Sequence, residues 1–466
     1  MSDNVIGGKP QLRPVNPILH GPILATLIRL ALPNTVSMTA ATLVAIFETT
    51  YIGLLGIEQL AAIALVFPFT VLMGMMSGGA MGGGVSSAIS RALGANNDER
   101  ASRLAFHAVL IGLCGGVLFT FVMQLFGPTF FYLLGGRGAV LDHATAFAQV
   151  LFAAAISVWL TNTLASLLRG SGNMRIPATT LLCISAAQIV IGGTLGLGLF
   201  GLPRLGMRGV ASGQALAFTG GAIFLAWFLL SGRSRVKLTF RAMTVDRSMF
   251  FDILKVGAIA CLSPLQSVAT VLIFNKLLAS YGTVVLAGYG IGSRLEFMLV
   301  PISAAIGQAS LPIVGMNIGA GNIERARRAA WCAGGLSGLV VGSIGVVLAI
   351  WPNLWAERFT SDPAVLEVAR HYLTLAGPAF GFLGLALSLY FASQGSGQIL
   401  GPVLAQSGRL ITVAFGGWIL LTLQTPSWTL FSLAATSMVV YGVLAAMSVW
   451  FVKWGPIRPT PASPPS

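Results

Sequence analysis

Apolar runs of twenty or more residues, separated by short polar breaks, follow one another along almost the whole chain. A run of that length crosses ~30 Å of hydrocarbon as an α-helix. Twelve are read, at 24–51, 61–88, 104–126, 144–168, 177–200, 208–230, 251–279, 285–314, 329–351, 367–393, 400–423 and 428–452. None alternates in the manner of a barrel strand and all are too long for one, which excludes a closed β-barrel. The pattern predicts an all-α, polytopic membrane protein of twelve transmembrane helices.

The pattern also repeats. LGANNDERA at 93–101 returns as IGAGNIERA at 318–326, and GSGNMRIP at 170–177 returns as GSGQILGP at 395–402, both by the same offset along the chain. Two motifs duplicated at one spacing predict tandem halves, each far longer than a solenoid repeat. Six runs fall in each half. An even number of spans makes the halves parallel repeats about an axis along the membrane normal, with a path for substrate between two bundles. The expected organisation is a tail at 1–22, a six-helix lobe at 23–230, a linker at 231–250, a second six-helix lobe at 251–452 and a tail at 453–466.

Composition fixes the medium. Hydrophobic residues are 55% of the chain and charged ones 9%, against roughly 25% charged in a soluble domain. Placing the N-terminus inside puts seventeen Lys and Arg on the cytoplasmic side, among them Lys9, Arg13, Arg100, Arg233, Arg241 and Arg458, and only Arg137, Arg204, Arg208 and Arg358 outside. Both termini are therefore expected to be cytoplasmic, in a plasma membrane or bacterial inner membrane. The net charge of +14 sits in loops without interleaved aromatics, so anionic lipid headgroups and not nucleic acid are the expected partner. The stretch ahead of the first run lacks the apolar core of a signal peptide, so that run is expected to be retained. Cys114, Cys183, Cys261 and Cys332 lie in spans without a CxxC pair, which predicts neither disulfides nor a zinc site.

The ordered, duplicated motifs carry a family resemblance. FETTYIGLLGIEQLAAIAL at 47–65 and LAGYGIGSRLEFMLVPISAAIGQASLPIVGMNIGAG at 286–321 join the LGxxNxERA and GSGxxxxP motifs, and the set resembles the multidrug and toxic compound extrusion (MATE) transporters across all twelve spans. The resemblance implies a V of two lobes, alternating access, and export of amphipathic or cationic compounds in exchange for protons or sodium. Three departures stand out. The family's first-helix aspartate is Glu48 here, its fifth-helix Asn and Asp align with Gln188 and Gly192, and the seventh and tenth runs hold no acid beyond the terminal Asp252 and Glu367.

Of thirteen acidic residues, only Glu48 and Glu296 lie well inside spans. An intramembrane carboxylate costs several kcal/mol, so it is a functional candidate by default. Asn34, Ser37, Ala41, Ala45 and Glu48 advance by three or four residues, forming one small and polar stripe that is expected to face water. Glu48 is read either as the coupling group or as half of a structural pair with Lys276 in the seventh run. Glu296, two residues from Arg294 and on another helix face, is read as structural first and functional second. The candidate ion- or substrate-binding set is thus Glu48, Asn34, Lys276, Glu296 and Gln188. The glycine run at 78–84 permits close helix contact, and Pro33, Pro68, Pro264, Pro301 and Pro378 are expected to kink their spans.

Other chemistry is excluded or weak. GLGLFG at 196–201 ends an apolar span and follows no strand, there is no Walker motif, and the four histidines are scattered. The expected protein is not an enzyme. It is a monomeric antiporter without cofactor, coupled to H+ with Na+ as the alternative, exporting small amphipathic molecules including drugs. The competing readings are a flippase for a lipid or lipid-linked saccharide, and a channel.

Overall fold

A computed structural model describes residues 17–238 and 244–455. Lys9, Arg13, Arg241 and Arg458, with most of both expected tails and part of the linker, fall outside the described residues. Eleven helices among these are long and apolar enough to cross a membrane, and one bent pair supplies the twelfth. They are α1 (Ile23–Leu55), α2 (Ile57–Gly94), α3 (Asp98–Leu133), α4 (Gly138–Ala153 and Ala155–Gly170), α5 (Arg175–Leu197) and α6 (Gly206–Leu230), then α7 (Arg247–Ala279), α8 (Thr283–Gly319), α9 (Ile323–Ile350), α10 (Pro363–Ser396), α11 (Leu400–Thr422) and α12 (Trp428–Phe451). In hydrocarbon every backbone N–H and C=O must be satisfied within its own segment, which leaves helix as the form these apolar runs take. Their outer faces stay apolar: Val117, Leu118, Phe121 and Leu125 of α3 are all exposed.

Breaks in the helices have local causes. α7 bends at Cys261, ahead of Pro264. The proline ring cannot donate to the Ala260 carbonyl, and Tyr390 of α10 donates its hydroxyl to that oxygen instead, at 3.1 Å. Pro378 lies in a 3-10 turn, Gly377–Ala379. Pro33, Pro68 and Pro301, by contrast, sit inside unbroken helices. α4 bends by 44° at Ala154 without a proline, where Thr120 of α3 donates to the Phe152 carbonyl. The glycine run of α2 is wound partly as π-helix over Met75–Met81, a form frequent at functional sites.

The repeat is visible in the turns. Asn96 (φ 56) and its counterpart Gly321 (φ 79) are both left-handed, as are Gly172 (φ 85) and Gly397 (φ 79). These positions favour Gly, with Asn tolerated, which is why the two motifs persist in both halves.

α1–α6 form one lobe and α7–α12 the other. Within them α5 packs on α6 and α1, and α10 on α9 and α8. The lobes meet chiefly through α1 and α2 against α7, α8 and α10. The face that carries the start of α1 and the end of α12 is called the terminal face here. At this face the seam is pseudo-twofold: Gly94 packs on the Met316 carbonyl, Gly319 packs on the Arg91 carbonyl, and a side chain at either would collide with that oxygen. Arg91 and Arg100 clamp Asp252 of α7 at 2.7 and 2.9 Å, Arg103 meets Asp246 at 3.3 Å, and Arg325 donates to the Gly21 carbonyl. Among the described residues, no hydrogen bond or ion pair joins the lobes further from the terminal face than Asn34 to Gln308 and Gln394 to the Gly79 carbonyl. The lobes therefore close at the terminal face and part toward the opposite one.

Candidate functional site

Glu48 lies on the parted half of α1, toward the Leu55 end of a helix that starts at Ile23. Its carboxylate is half-buried and accepts a hydrogen bond of 2.7 Å from Gln188 Nε2 of α5. The same nitrogen reaches Gln214 Oε1 of α6 at 3.4 Å. Gln188 and Gln214 are both buried. Among the described residues no basic group lies within ion-pair range of Glu48: its fixed partner is an amide. Buried carboxylates are normally paired with a cation or satisfied by several donors. This one keeps a free oxygen on a half-exposed side chain.

The neighbouring helices are shaped for this. Gly192, which aligns with the family's fifth-helix Asp, faces Gly213 of α6, and a Cβ on Gly213 would stand 2.6 Å from the Gly192 Cα. A side chain at 213 would force α5 and α6 apart and disturb the wall that carries Gln188 and Gln214, whereas a Cβ at 192 would stand 3.2 Å from the Val210 carbonyl oxygen. Gly193 likewise makes room for the Tyr51 ring, one turn beyond Glu48.

The other sequence candidates lie elsewhere. Asn34 is buried and donates to Gln308 Oε1 of α8 at 3.4 Å, so it belongs to the seam. It stands about 21 Å from Glu48 along the helix at 1.5 Å per residue. Ser37, expected to face water with it, is fully buried and bonds to its own helix. Lys276 is exposed near the outer end of α7, and the pair with Glu48 is not formed. Glu296 does have a cation, Arg409 of α11, at 3.1 Å, with side-chain exposures of 15% and 12%. Tyr372 adds a 3.4 Å hydrogen bond to the second carboxylate oxygen and stacks edge-on against Tyr289. Arg294, which shares the stretch with Glu296, instead sits over the Phe359 ring at 5.1 Å.

Arg409, Gln214, Gln308 and Gln394 were not among the sequence candidates. Arg409 had a signal: it is a basic residue near the middle of an apolar span, in the lobe whose one interior acid is Glu296. The glutamines stand out less, since a neutral amide costs less to place in a span than a charge does and hydrogen bonds between helices offset that cost. No group of three or more His, Cys, Asp or Glu side chains that could hold a metal occurs among the described residues.

Comparison with known proteins agrees with this architecture. The MatE family model matches residues 33–193 and 260–419, one match in each lobe. The chain is 26% identical to the FAD transporter of Shewanella oneidensis, over 79% of this chain and 82% of the relative. It is 26% identical to the multidrug export protein MepA of Staphylococcus aureus, over 84% and 87%. It is also 25% identical to the probable multidrug resistance protein NorM of Thermotoga maritima, over 81% of each. Among solved structures, a MOP superfamily transporter from Pyrococcus furiosus superposes with a TM-score of 0.86 at 22% identity, covering 93% of this chain and 96% of that one. An outward-facing MATE family transporter superposes with 0.82 at 23% identity, covering 92% and 95%. These structures share the two-lobed fold.

Proposed function

This chain belongs to the MatE family of membrane transporters, and from that premise we propose that it is an antiporter that exports small amphipathic or cationic organic compounds in exchange for protons, by alternating access. The relatives named for drug export support the substrate class. The observation that carries the coupling is Glu48, an intramembrane carboxylate whose partner is the amide of Gln188 and not a cation. A charged Glu48 accepts from the Gln188 N–H. A protonated one donates its O–H to an amide oxygen or to water. The amide serves both states, so the carboxyl exchanges a proton for a cationic substrate without leaving a buried group unsatisfied.

A proton is favoured over sodium because one carboxylate carries it, whereas sodium needs several oxygen ligands held together. The donors at hand are one carboxylate and the amide oxygens of Gln188 and Gln214. Both termini are placed in the cytoplasm, following the excess of basic residues on the terminal-face loops. The V then opens outward, where Glu48 meets protons from outside. Cells expressing Glu48→Gln are expected to accumulate a cationic dye that wild-type cells expel, at equal protein level. Dye expulsion at the wild-type rate would overturn the assignment.

A further inference from the structure

Arg169 ends α4 at the terminal face and is 6% exposed. It makes no side-chain hydrogen bond and no ion pair among the described residues, and its buried Nε has no partner. A guanidinium offers five donors and is costly to remove from water unless they are satisfied. Its place in the last turn of α4 gains from the helix dipole, but that gain leaves the buried Nε without an acceptor.

The internal repeat provides a comparison within the same molecule. By the offset that relates the two motif pairs, position 169 corresponds to Gln394, at the same turn of the second lobe. Gln394 crosses the seam to the Gly79 carbonyl at 3.2 Å, and its own carbonyl accepts from Ser87. The second lobe packs this position with a neutral side chain. Packing alone therefore does not call for the positive charge at 169.

The surroundings indicate when that charge becomes accessible. Asn162, Ser166 and Arg169 follow one another at helical spacing on one face of α4. Asn162 donates to Ser77 Oγ of α2 at 2.8 Å, and Ser166 lies against Gly82. Gly170 abuts Ser86 and Ile89 of α2, and Gly172 lies 3.7 Å, measured from a Cβ placed on it, from the Met316 methyl of α8. Arg169 thus sits beside the seam that shuts the terminal face, at the end of a polar stripe that runs toward mid-membrane. In alternating access this seam is the part that opens.

We propose that Arg169 is the anion-recognising residue of the transport path: once the seam opens at the terminal face, its guanidinium takes the carboxylate or phosphate group of an amphipathic anion. The substrate range then includes anionic and zwitterionic compounds beside cations. The inference rests on the alternating-access reading and is independent of Glu48 and the coupling ion.

The probe is carboxyfluorescein, with ethidium as the cationic reference, on the purified full chain in phosphatidylcholine proteoliposomes. In the wild type, phenylglyoxal is expected to modify Arg169, read by peptide mass spectrometry, and carboxyfluorescein to protect it. The ratio of the carboxyfluorescein Kd to the ethidium Kd is expected to rise about tenfold or more in Arg169→Gln, the loss of a charge-assisted contact, and by less in Arg169→Lys. An unchanged ratio, no carboxyfluorescein binding to the wild type, or an Arg169 that carboxyfluorescein fails to protect would each overturn the proposal. So would protection by added phosphatidylglycerol alone, which would make the occupant a lipid headgroup. The wild-type protection experiment stands even where a variant fails to fold.

Discussion

Two carboxylates inside the membrane have opposite settings, and the proposed division of work between them follows that difference. Glu296 is locked between Arg409 and Tyr372, and a buried pair of this kind is expensive to break from one side. Arg409→Met is expected to lower stability by about 3–5 kcal/mol, because it strands the carboxylate, while Glu296→Gln combined with Arg409→Met recovers most of the loss. Thermal unfolding in detergent checks both. Glu48, held by one amide bond, has no such lock. Glu48→Asp is expected to keep part of the transport, since a carboxylate one methylene shorter still exchanges a proton but draws away from the 2.7 Å contact with Gln188; dye efflux as full as the wild type's would show that the contact is dispensable. Both acids were legible in the sequence because charge is rare in spans. Their partners were not, because helical spacing gives the face of a residue and not the neighbour across it. Asn34 and Glu48 share a stripe yet serve different places for the same reason.

The elements that decide conformation are helix ends. The seam at Gly94 and Gly319 exists because neither residue has a side chain. Gly94→Val is expected to force the lobes apart at the terminal face, and spin labels at Asn96 and Gly321, on the repeat-related turns, should report a longer separation than in the unsubstituted background. An unchanged distance would mean that this contact does not hold the seam. α7 begins at an N-cap, Asp246, whose carboxylate accepts the Ser248 N–H at 2.8 Å. That bond first, and then Arg103 and His107, hold its carboxyl below the ordinary aspartate range. A depressed folded value means the stabilisation is present above the unfolded value, about 3.9, and is lost as pH falls through the folded one. Acidification in that range is expected to lower the hydrogen-exchange protection factor, the intrinsic rate at the same pH over the observed one, at Ser248 and Met249, and Asp246→Asn to flatten the dependence. Span number and turn positions were legible from apolar runs and repeated glycines. Kinks were only partly so: a proline announces itself, but whether a neighbour such as Tyr390 takes the freed carbonyl depends on packing that the sequence does not display.

At the scale of the whole molecule, the duplicated motifs announced two lobes, and the structure adds how they meet: closed at the terminal face, parted at the other. The direction of that opening depends on orientation. An epitope at Gly56, in the turn between α1 and α2, is expected to be reachable only from outside intact cells, and one at Gly232 only after permeabilisation; the reverse pattern would invert the assigned topology. The ionic clamp at Asp252 and the carboxylate proposed to couple transport, Glu48, lie on opposite halves of the membrane, so what holds the lobes together is separate from what is proposed to drive them. That a proton on Glu48 drives export is tested most directly by dye efflux from proteoliposomes of the purified protein, with a proton gradient or a sodium gradient imposed one at a time, for the wild type and Glu48→Gln. Transport by the wild type under the proton gradient alone, and none by Glu48→Gln under either, is the predicted result. Sodium-driven efflux, or proton-driven efflux by Glu48→Gln at the wild-type rate, would contradict it.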